Sequence, residues 1–409
     1  MIEVTVPGSK SYTHRILIAS ALSDGKCIIE NGLESEDTLF TAKALKSMGI
    51  NIEFNENIFF VYGKDGVLKS NSNPIYLGNS GTSVRFLTSV CALGRGSYLL
   101  TGVERMKDRP ISDLTEALKQ LGVHARCLNN GCPPVEVKGG KIEGGKVFIK
   151  CKVSSQYLSS LLLIAPYTEK GLDIRVVEGP VSKPYIDMTI DVMERLGVSV
   201  KREEYEHFKI KGRQIYRSGT YTVEPDCSNA SYFWGAAAIS GKTVKVKQIF
   251  KSSHQGDVHF LDVLEKMGCI VSEEKDGIAV TGGKLKGIEI DMGNMPDIVP
   301  TLAVVSVFAE GTTVIKNVSH LRAKESDRLA AVTNELTKMG IEAYATDNDL
   351  IVKGGKPKGC EIETYADHRI AMSFAMAGLS VPEVKILDEK CVAKSFPNFW
   401  DVFNSTLLT

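Results

Sequence analysis

No charge of either sign dominates this chain of 409 residues: Lys and Arg number 49, Asp and Glu number 49, and the formal net charge is zero. Nucleic-acid binders usually show a basic excess, so no nucleic-acid partner is expected, although local basic clusters can sit inside a neutral total. Long apolar runs are missing too. A strongly apolar stretch such as residues 302–309 falls far short of the roughly 20 residues that span a bilayer. The opening MIEVTVPGSKSYTHR lacks a basic segment followed by an apolar one, so no signal peptide and no membrane partner are expected, and the cytoplasm is the expected location. The nine cysteines are scattered and odd in number, with no CxxC pair. That pattern suits reduced thiols and speaks against a disulfide framework or a metal site. GxxxxGK[ST] and a strand-borne GxGxxG are both absent, which removes the P-loop and dinucleotide fingerprints, and no cofactor is expected.

What is present is a repeat. A polar start, a helix rich in Ala, Leu and Ser, a Gly-containing turn and a β-branched strand recur from Ser9, Ser80, Ser154, Ser228, Asp297 and Asp367, at spacings of 71, 74, 74, 69 and 70. Between these copies lies a second helix that ends in a Leu/Met-Gly pair before a strand, as in LKSMGI (45–50), LKQLGV (118–123), MERLGV (193–198), LEKMGC (264–269) and LTKMGI (336–341). Gly49, Gly122, Gly197, Gly268 and Gly340 stand where a helix stop needs positive φ. Asp37, Asp113, Asp187, Asp257 and Asp327 read as caps or first-turn acids of the same helices. FPNFWDVF near the C-terminus reads as a divergent sixth copy. Length alone argues for two domains, and six mixed α/β units divide into three plus three across a cleft.

The unusual polar residues gather at the starts of the first helices: Lys10, Ser11 and Arg15; Asn79, Ser80, Gly81, Thr82 and Arg85; Ser154, Ser155 and Gln156; Ser228 and Asn229; Asp297; Asp367, His368 and Arg369. Helix N-termini offer free N–H donors and partial positive charge, which attract anions. Ser, Thr, Asn and Asp there are most often plain caps. Arg15 and Arg85 shift the balance, because both sit at matching places in apolar helices, where Arg suits bidentate recognition of phosphate or carboxylate. Gly81 permits close backbone approach to a ligand, or simply a tight turn.

HLRAKESDR (320–328) packs Lys324, Glu325, Asp327 and Arg328 into five positions. The plainer reading is a solvated helix start. If the helix already runs there, Lys324 and Arg328 share a face and call for an anion between them, with Glu325 placed to carry a proton. Asp297, after Pro296, is either an N-cap or a general base. Lys394 has no local partner and could be an ordinary surface lysine.

Together these stretches resemble the EPSP synthase family: PGSKSYTHR (7–15), LGNSGTSVR (77–85), RMKDRPI (105–111), VSSQY (153–157), VSKPYIDM (181–188), PD (296–297), KESDR (324–328), DHRIAM (367–372) and AKSFP (393–397), in the family's order from end to end. The resemblance implies an inside-out α/β barrel in each of two similar domains, each of three βαβαββ units, with a cleft between them. One domain would be 8–223, on the shikimate-phosphate side. The other would be 1–7 plus 224–409, on the phosphoenolpyruvate side, with two chain crossings forming the hinge. It implies small-molecule substrates, shikimate 3-phosphate and phosphoenolpyruvate, a monomer, and no metal. Lys10, Ser11, Arg15, Ser154, Ser155, Gln156, Ser182, Tyr185, Asp297 and Lys324 would meet the first substrate. Lys10, Asn79, Gly81, Thr82, Arg85, Arg109, Gln156, Arg328, His368, Arg369 and Lys394 would meet the second. Asp297, Glu325 and Lys10 would be catalytic. Two positions depart from common family members: Phe86 stands where many have Pro, and His320 where some have Asn. A related family acting on UDP-N-acetylglucosamine usually begins with Lys-Asn and carries Cys or Asp in a mobile loop. Here the pair is Lys10-Ser11, and RMKDRP holds no Cys.

Overall fold

The Ala-, Leu- and Ser-rich stretches become helices buried on nearly every side, and the computed structural model, which describes residues 1–71 and 73–407, is organised around them. The chain divides into two compact units, Gly8–Val223, and Met1–Pro7 with Glu224–Thr409.

The unit Gly8–Val223 holds helices α1 (Lys10–Leu22), α2 (Glu36–Ser47), α3 (Gly81–Leu93), α4 (Ser112–Gln120), α5 (Gln156–Ile164) and α6 (Pro184–Arg195). Helices α1, α3 and α5 bury almost every residue, whereas α2, α4 and α6 keep a polar face outward, as amphipathic surface helices do. Each repeat also contributes a sheet. In the third, Gly145–Lys150 runs parallel to Leu172–Glu178, which pairs antiparallel with His207–Ile210, and that strand pairs antiparallel with Lys201–Glu203. The order in the second repeat is the same: Ile75–Tyr76, Gly96–Thr101, Cys132–Gly139, His124–Asn129. The repeat is thus strand, inner helix, strand, outer helix and hairpin, with the hairpin's last strand beside the central one. The first repeat takes its parallel edge strand from the far end of the unit, where Thr220–Thr222 pairs with Lys26–Glu30.

The other unit holds α7 (Cys227–Ser240), α8 (Phe260–Met267), α9 (Val299–Val307), α10 (Arg328–Lys338), α11 (His368–Ala377) and α12 (Phe399–Leu407). Its first sheet takes an edge strand from the chain's start: Ile2–Val4 lies parallel to Thr243–Lys247. Lys245 and Lys247 each reach a Glu3 oxygen at 2.6 Å. Hydrogen bonds from the two lysines hold the Glu3 carboxyl down at about 2. Helices α7, α9 and α11 meet at Gly235, where a Cβ would lie 2.8 Å from Met376 Sδ and 3.2 Å from Thr301 Cγ2. A hydroxyl chain ties the same three helices, Ser231 to Thr301 to Ser373, at 3.2 Å each.

Gly49, Gly122, Gly197, Gly268 and Gly340 all take positive φ, 79° to 111°, which ends each outer helix. Helix α7 begins at Cys227 with Asp226 as its cap, and Ser228 and Asn229 stand in its first turn, at the helix start expected for them. One expectation needs correcting. The sixth repeat is reduced: among the described residues its sheet has only Glu361–Ile362 and Lys385–Ile386, followed by α12, with no hairpin. Among the described residues no helix is long and apolar enough to cross a membrane.

Candidate active site

In the unit Gly8–Val223 the inner-helix starts are knitted together by their own side chains. Ser9 caps α1 and Ser80 caps α3. A buried chain, His14 Nδ1 to Thr41 Oγ1 at 2.9 Å, Thr41 to Ser83 at 2.8 Å and Ser83 to Ser80 at 2.7 Å, joins α1, α2 and α3. Lys10 Nζ, on a side chain only 9% exposed, meets Asp37 Oδ2 at 3.3 Å. Arg15 is fully buried: Nε donates to Thr189 Oγ1 at 2.7 Å, and the terminal nitrogens donate to the Ser11 carbonyl at 2.8 Å and the Tyr185 carbonyl at 2.9 Å. Its guanidinium carbon also lies 5.1 Å from the Phe86 ring centre and 5.9 Å from that of Tyr185. Burial lowers its basicity to about 10, which leaves it charged at any ordinary pH.

Arg85 donates to Gln156 Oε1 at 2.7 Å, and Gln156 Nε2 donates to Thr82 Oγ1 at 2.9 Å, so the starts of α3 and α5 are coupled through one amide. Arg109 reaches back to Asn79, at 2.7 Å to its carbonyl and 3.1 Å to its side-chain oxygen. The guanidinium packs against Gly81: a Cβ there would stand 2.3 Å from one of its terminal nitrogens. Ser154 and Ser155 are buried before α5, with the Gln156 N–H donating to Ser154 Oγ at 3.2 Å. Ser182 is buried and holds φ at +53°, a strained conformation for a residue with a Cβ.

In the other unit the site is built around Arg328, whose side chain is 1% exposed and touches three carboxylates. It bonds Asp297 Oδ1 at 2.8 Å, Glu325 Oε2 at 2.9 Å and Asp367 Oδ2 at 2.8 Å. Asp367 caps α11 and also accepts from Ser326 at 3.0 Å. Asp297 is shared: Arg369 approaches its other oxygen at 3.1 Å and Lys324 Nζ lies 3.9 Å from the first. Arg369 also donates to Tyr232 at 3.0 Å. Burial pushes the Asp297 carboxyl up, but Arg369, Lys324 and Arg328 outweigh it and hold it well below 3.8. Arg328 is raised despite burial by Asp367, Glu325 and Asp297. His320 is driven down to about 3 by burial and by Lys324, so it stays neutral. Lys394 is buried at the end of a 3-10 turn, not a surface lysine, and His368 is buried at the first turn of α11.

Asp257 forms the least expected part. It is buried beside α7 and accepts a hydrogen bond from Ser228. Its Oδ1 has no hydrogen-bond partner among the described residues. Burial, and next the charge of Asp297, raise its carboxyl to about 7. Asp257 and Asp37 stand at matching places in their repeats, but only Asp37 is a first-turn acid of its outer helix; Asp257, expected as a cap or first-turn acid, lies in a 3-10 turn, Gly256–His259, before α8 begins at Phe260. Asp37 meets Lys10, whereas the hydrogen bond that Asp257 receives among the described residues comes from the Ser228 hydroxyl.

The expectation of a Lys324–Arg328 face fails in its premise. Lys324 follows a 3-10 turn, Ser319–Ala323, and α10 starts only at Arg328 with Asp327 as its cap. The two cations still converge, on Asp297, whose carboxylate supplies the negative charge between them. Asp297 itself is not an N-cap: it sits in the turn Pro296–Ile298 and no side chain caps α9. Sequence reasoning placed Asp37 and Asp257 only as helix acids and overlooked Thr41, Thr189 and Tyr232. Matching the repeats sets the two acids at equivalent places, but sequence spacing does not show that they lie against the starts of the inner helices.

A family model described as EPSP synthase (3-phosphoshikimate 1-carboxyvinyltransferase) matches residues 2–403. The 3-phosphoshikimate 1-carboxyvinyltransferase of Syntrophobacter fumaroxidans is 41% identical over 98% of this chain and 96% of its own length. The one from Yersinia pseudotuberculosis is 43% identical over 98% and 95%. The solved EPSP synthase of Acinetobacter baumannii superposes with a TM-score of 0.83 at 30% identity, covering 100% of this chain and 96% of that one. The enolpyruvyl transferase NikO of Streptomyces tendae shares the fold, with a TM-score of 0.76 at 19% identity over 99% and 94%. With its six repeats and its clustered cations and carboxylates so matched along the whole length, the chain belongs to the EPSP synthase family.

Proposed function

We propose that this chain transfers the carboxyvinyl group of phosphoenolpyruvate to the 5-hydroxyl of shikimate 3-phosphate, releasing inorganic phosphate. A proton is added to C3 of phosphoenolpyruvate while the 5-hydroxyl, losing its proton, attacks C2. The resulting tetrahedral adduct then expels phosphate and gives up a C3 proton, restoring the double bond in the product. Such chemistry asks the protein to hold two phosphates and two carboxylates and to move protons at C3 and at the hydroxyl.

The observation that carries this reading is the Asp297 carboxylate held by Arg328, Arg369 and Lys324 with Glu325 on the same guanidinium. Asp297, kept ionised in a mostly buried place, and Glu325, on the same guanidinium, are the two groups that would carry the protons at the 5-hydroxyl and at C3. Arg328 and Arg369 are held in place by these acids, so the guanidinium groups that an arriving phosphate or carboxylate would meet are already oriented. In the other unit Arg15 commits three of its five N–H donors to protein groups among the described residues, which leaves two for a ligand. Lys10, Ser11, Ser154, Ser155, Gln156, Ser182 and Tyr185 complete the assignment to shikimate 3-phosphate. Lys10, Asn79, Gly81, Thr82, Arg85, Arg109, Gln156, His368 and Lys394 complete that to phosphoenolpyruvate.

The test is phosphate release with purified protein. Release that requires both substrates, and that is lost in Lys10→Met and Asp297→Ala, supports the reading. Release with UDP-N-acetylglucosamine in place of shikimate 3-phosphate would replace it.

A further inference from the structure

A crevice of about 680 Å³ opens on the third sheet of the unit Gly8–Val223, and none of its lining residues belongs to the candidate active site. Lys146, Lys170, Lys201, Lys209 and Lys211 line it against one acid, Asp173. In a chain of zero net charge this is a strong local excess.

Strand register accounts for the arrangement. Lys146 stands beside Asp173, Asp173 beside Lys209, and Lys209 beside Lys201, so one row across four strands carries three positive charges and one negative. Like charges directly opposite each other destabilise a sheet, and Lys201 and Lys209 are such a pair. Asp173 is a poor counterweight. His207 Nε2 lies 2.8 Å from it, Lys209 Nζ 3.6 Å and Arg175 Nε 3.9 Å. Lys170 has its own acid, Glu143, at 2.6 Å. Lys201 and Lys211 have no ion pair among the described residues.

We propose that this crevice binds a small anion carrying two or more phosphates. The row from Lys146 to Lys201 crosses three strand spacings, about 14 Å, which is wider than one phosphate bridges. Ser199 and Gln214 add neutral hydrogen-bonding groups, and open space stands where a Cβ on Gly145 would be, so a ligand can reach the backbone there. A volume near 680 Å³ falls in the range of small-molecule sites, roughly 300–1,000 Å³. No aromatic ring lines the crevice, which leaves a single-stranded nucleic acid without stacking platforms. Strand Gly145–Lys150 enters the crevice at its first residues and leads away toward Ser154, its own length being about 17 Å. The occupant would therefore sit apart from the reacting groups.

The experiment titrates inorganic tripolyphosphate into the full chain at low salt by calorimetry. Four proteins are compared: wild type, the double variant Lys201→Glu/Lys209→Glu, the variant Lys10→Met, and a charge-matched control, Lys266→Glu/Lys275→Glu. The expected result is an affinity that drops at least about tenfold in the first double variant and stays within about twofold in the other two. Tripolyphosphate should raise the wild-type melting temperature and leave that of Lys201→Glu/Lys209→Glu unmoved, while turnover without polyphosphate is the same in both. Unchanged affinity in Lys201→Glu/Lys209→Glu overturns the proposal. So does an equal drop in the control, which means unspecific charge, and so does loss confined to Lys10→Met, which means binding at the candidate active site alone. An RNA decamer that binds much more tightly than tripolyphosphate overturns it in favour of a nucleic-acid track.

Discussion

Asp257 keeps its proton to about pH 7 because it is buried near Asp297 and Asp226, with Arg369 as an insufficient counterweight. In the unfolded chain an aspartate ionises near 3.9. The contribution of this group to stability is therefore full below about pH 4 and falls away as pH rises to 7. Asp257→Asn keeps an oxygen for Ser228 and carries no charge. Its stability relative to wild type should improve between pH 4 and pH 8 by on the order of a few kcal/mol. Urea unfolding of both proteins at pH 5 and pH 8 measures this, and a difference that does not move with pH would refute it. Gly81 offers a second test. A methyl group there would displace the Arg109 guanidinium, which is the far end of a flexible side chain. Gly81→Ala should leave the melting temperature nearly unchanged and raise KM for phosphoenolpyruvate about tenfold, through Arg109. Steady-state kinetics with unchanged KM would remove Arg109 from the proposed contacts.

At the scale of elements, the outer-helix stops were legible because they are local: a Leu/Met-Gly pair needs only its own backbone to take positive φ. Their surroundings differ, and stability should report that. A Cβ at Gly340 meets nothing within 4 Å, whereas one at Gly268 would stand 2.6 Å from the Lys284 carbonyl oxygen. Gly340→Ala should cost about 1 kcal/mol, the strain of φ alone, and Gly268→Ala clearly more. Denaturant midpoints of the two variants would settle the order, and equal losses would count against it. Helix starts were less legible. Cap preference located Ser9, Ser80, Asp327 and Asp367 correctly, but the Asp297 segment departs from it because Pro296–Ile298 forms a separate turn before α9. The same limit applies to Lys324, where sequence spacing suggested a helix that a cap at Asp327 delays.

At the scale of the whole molecule, the two edge strands that come from a distance are informative. Strand Ile2–Val4 completes a sheet with Thr243–Lys247, and Glu3 is clamped by Lys245 and Lys247. A fragment of residues 224–409 lacks this strand and should unfold at a lower temperature than the same fragment with residues 1–7 supplied as a peptide. Circular dichroism melts with and without the peptide would show it, and no rise in midpoint would mean that the strand adds little.

Repeat period, helix type, helix stops and the polar character of the inner-helix starts followed from the sequence by itself, since each depends on neighbours within a turn or two of the chain. The partners did not. Lys10 meets an acid 27 residues away, Arg328 meets acids 31 and 39 away, Arg85 an amide 71 away, and Arg15 a hydroxyl 174 away. Only tertiary packing brings such groups within hydrogen-bond reach. It decided that Asp297 would be held ionised among three cations while Asp257, an acid in an equally ordinary-looking segment, would be left with a hydroxyl and keep its proton.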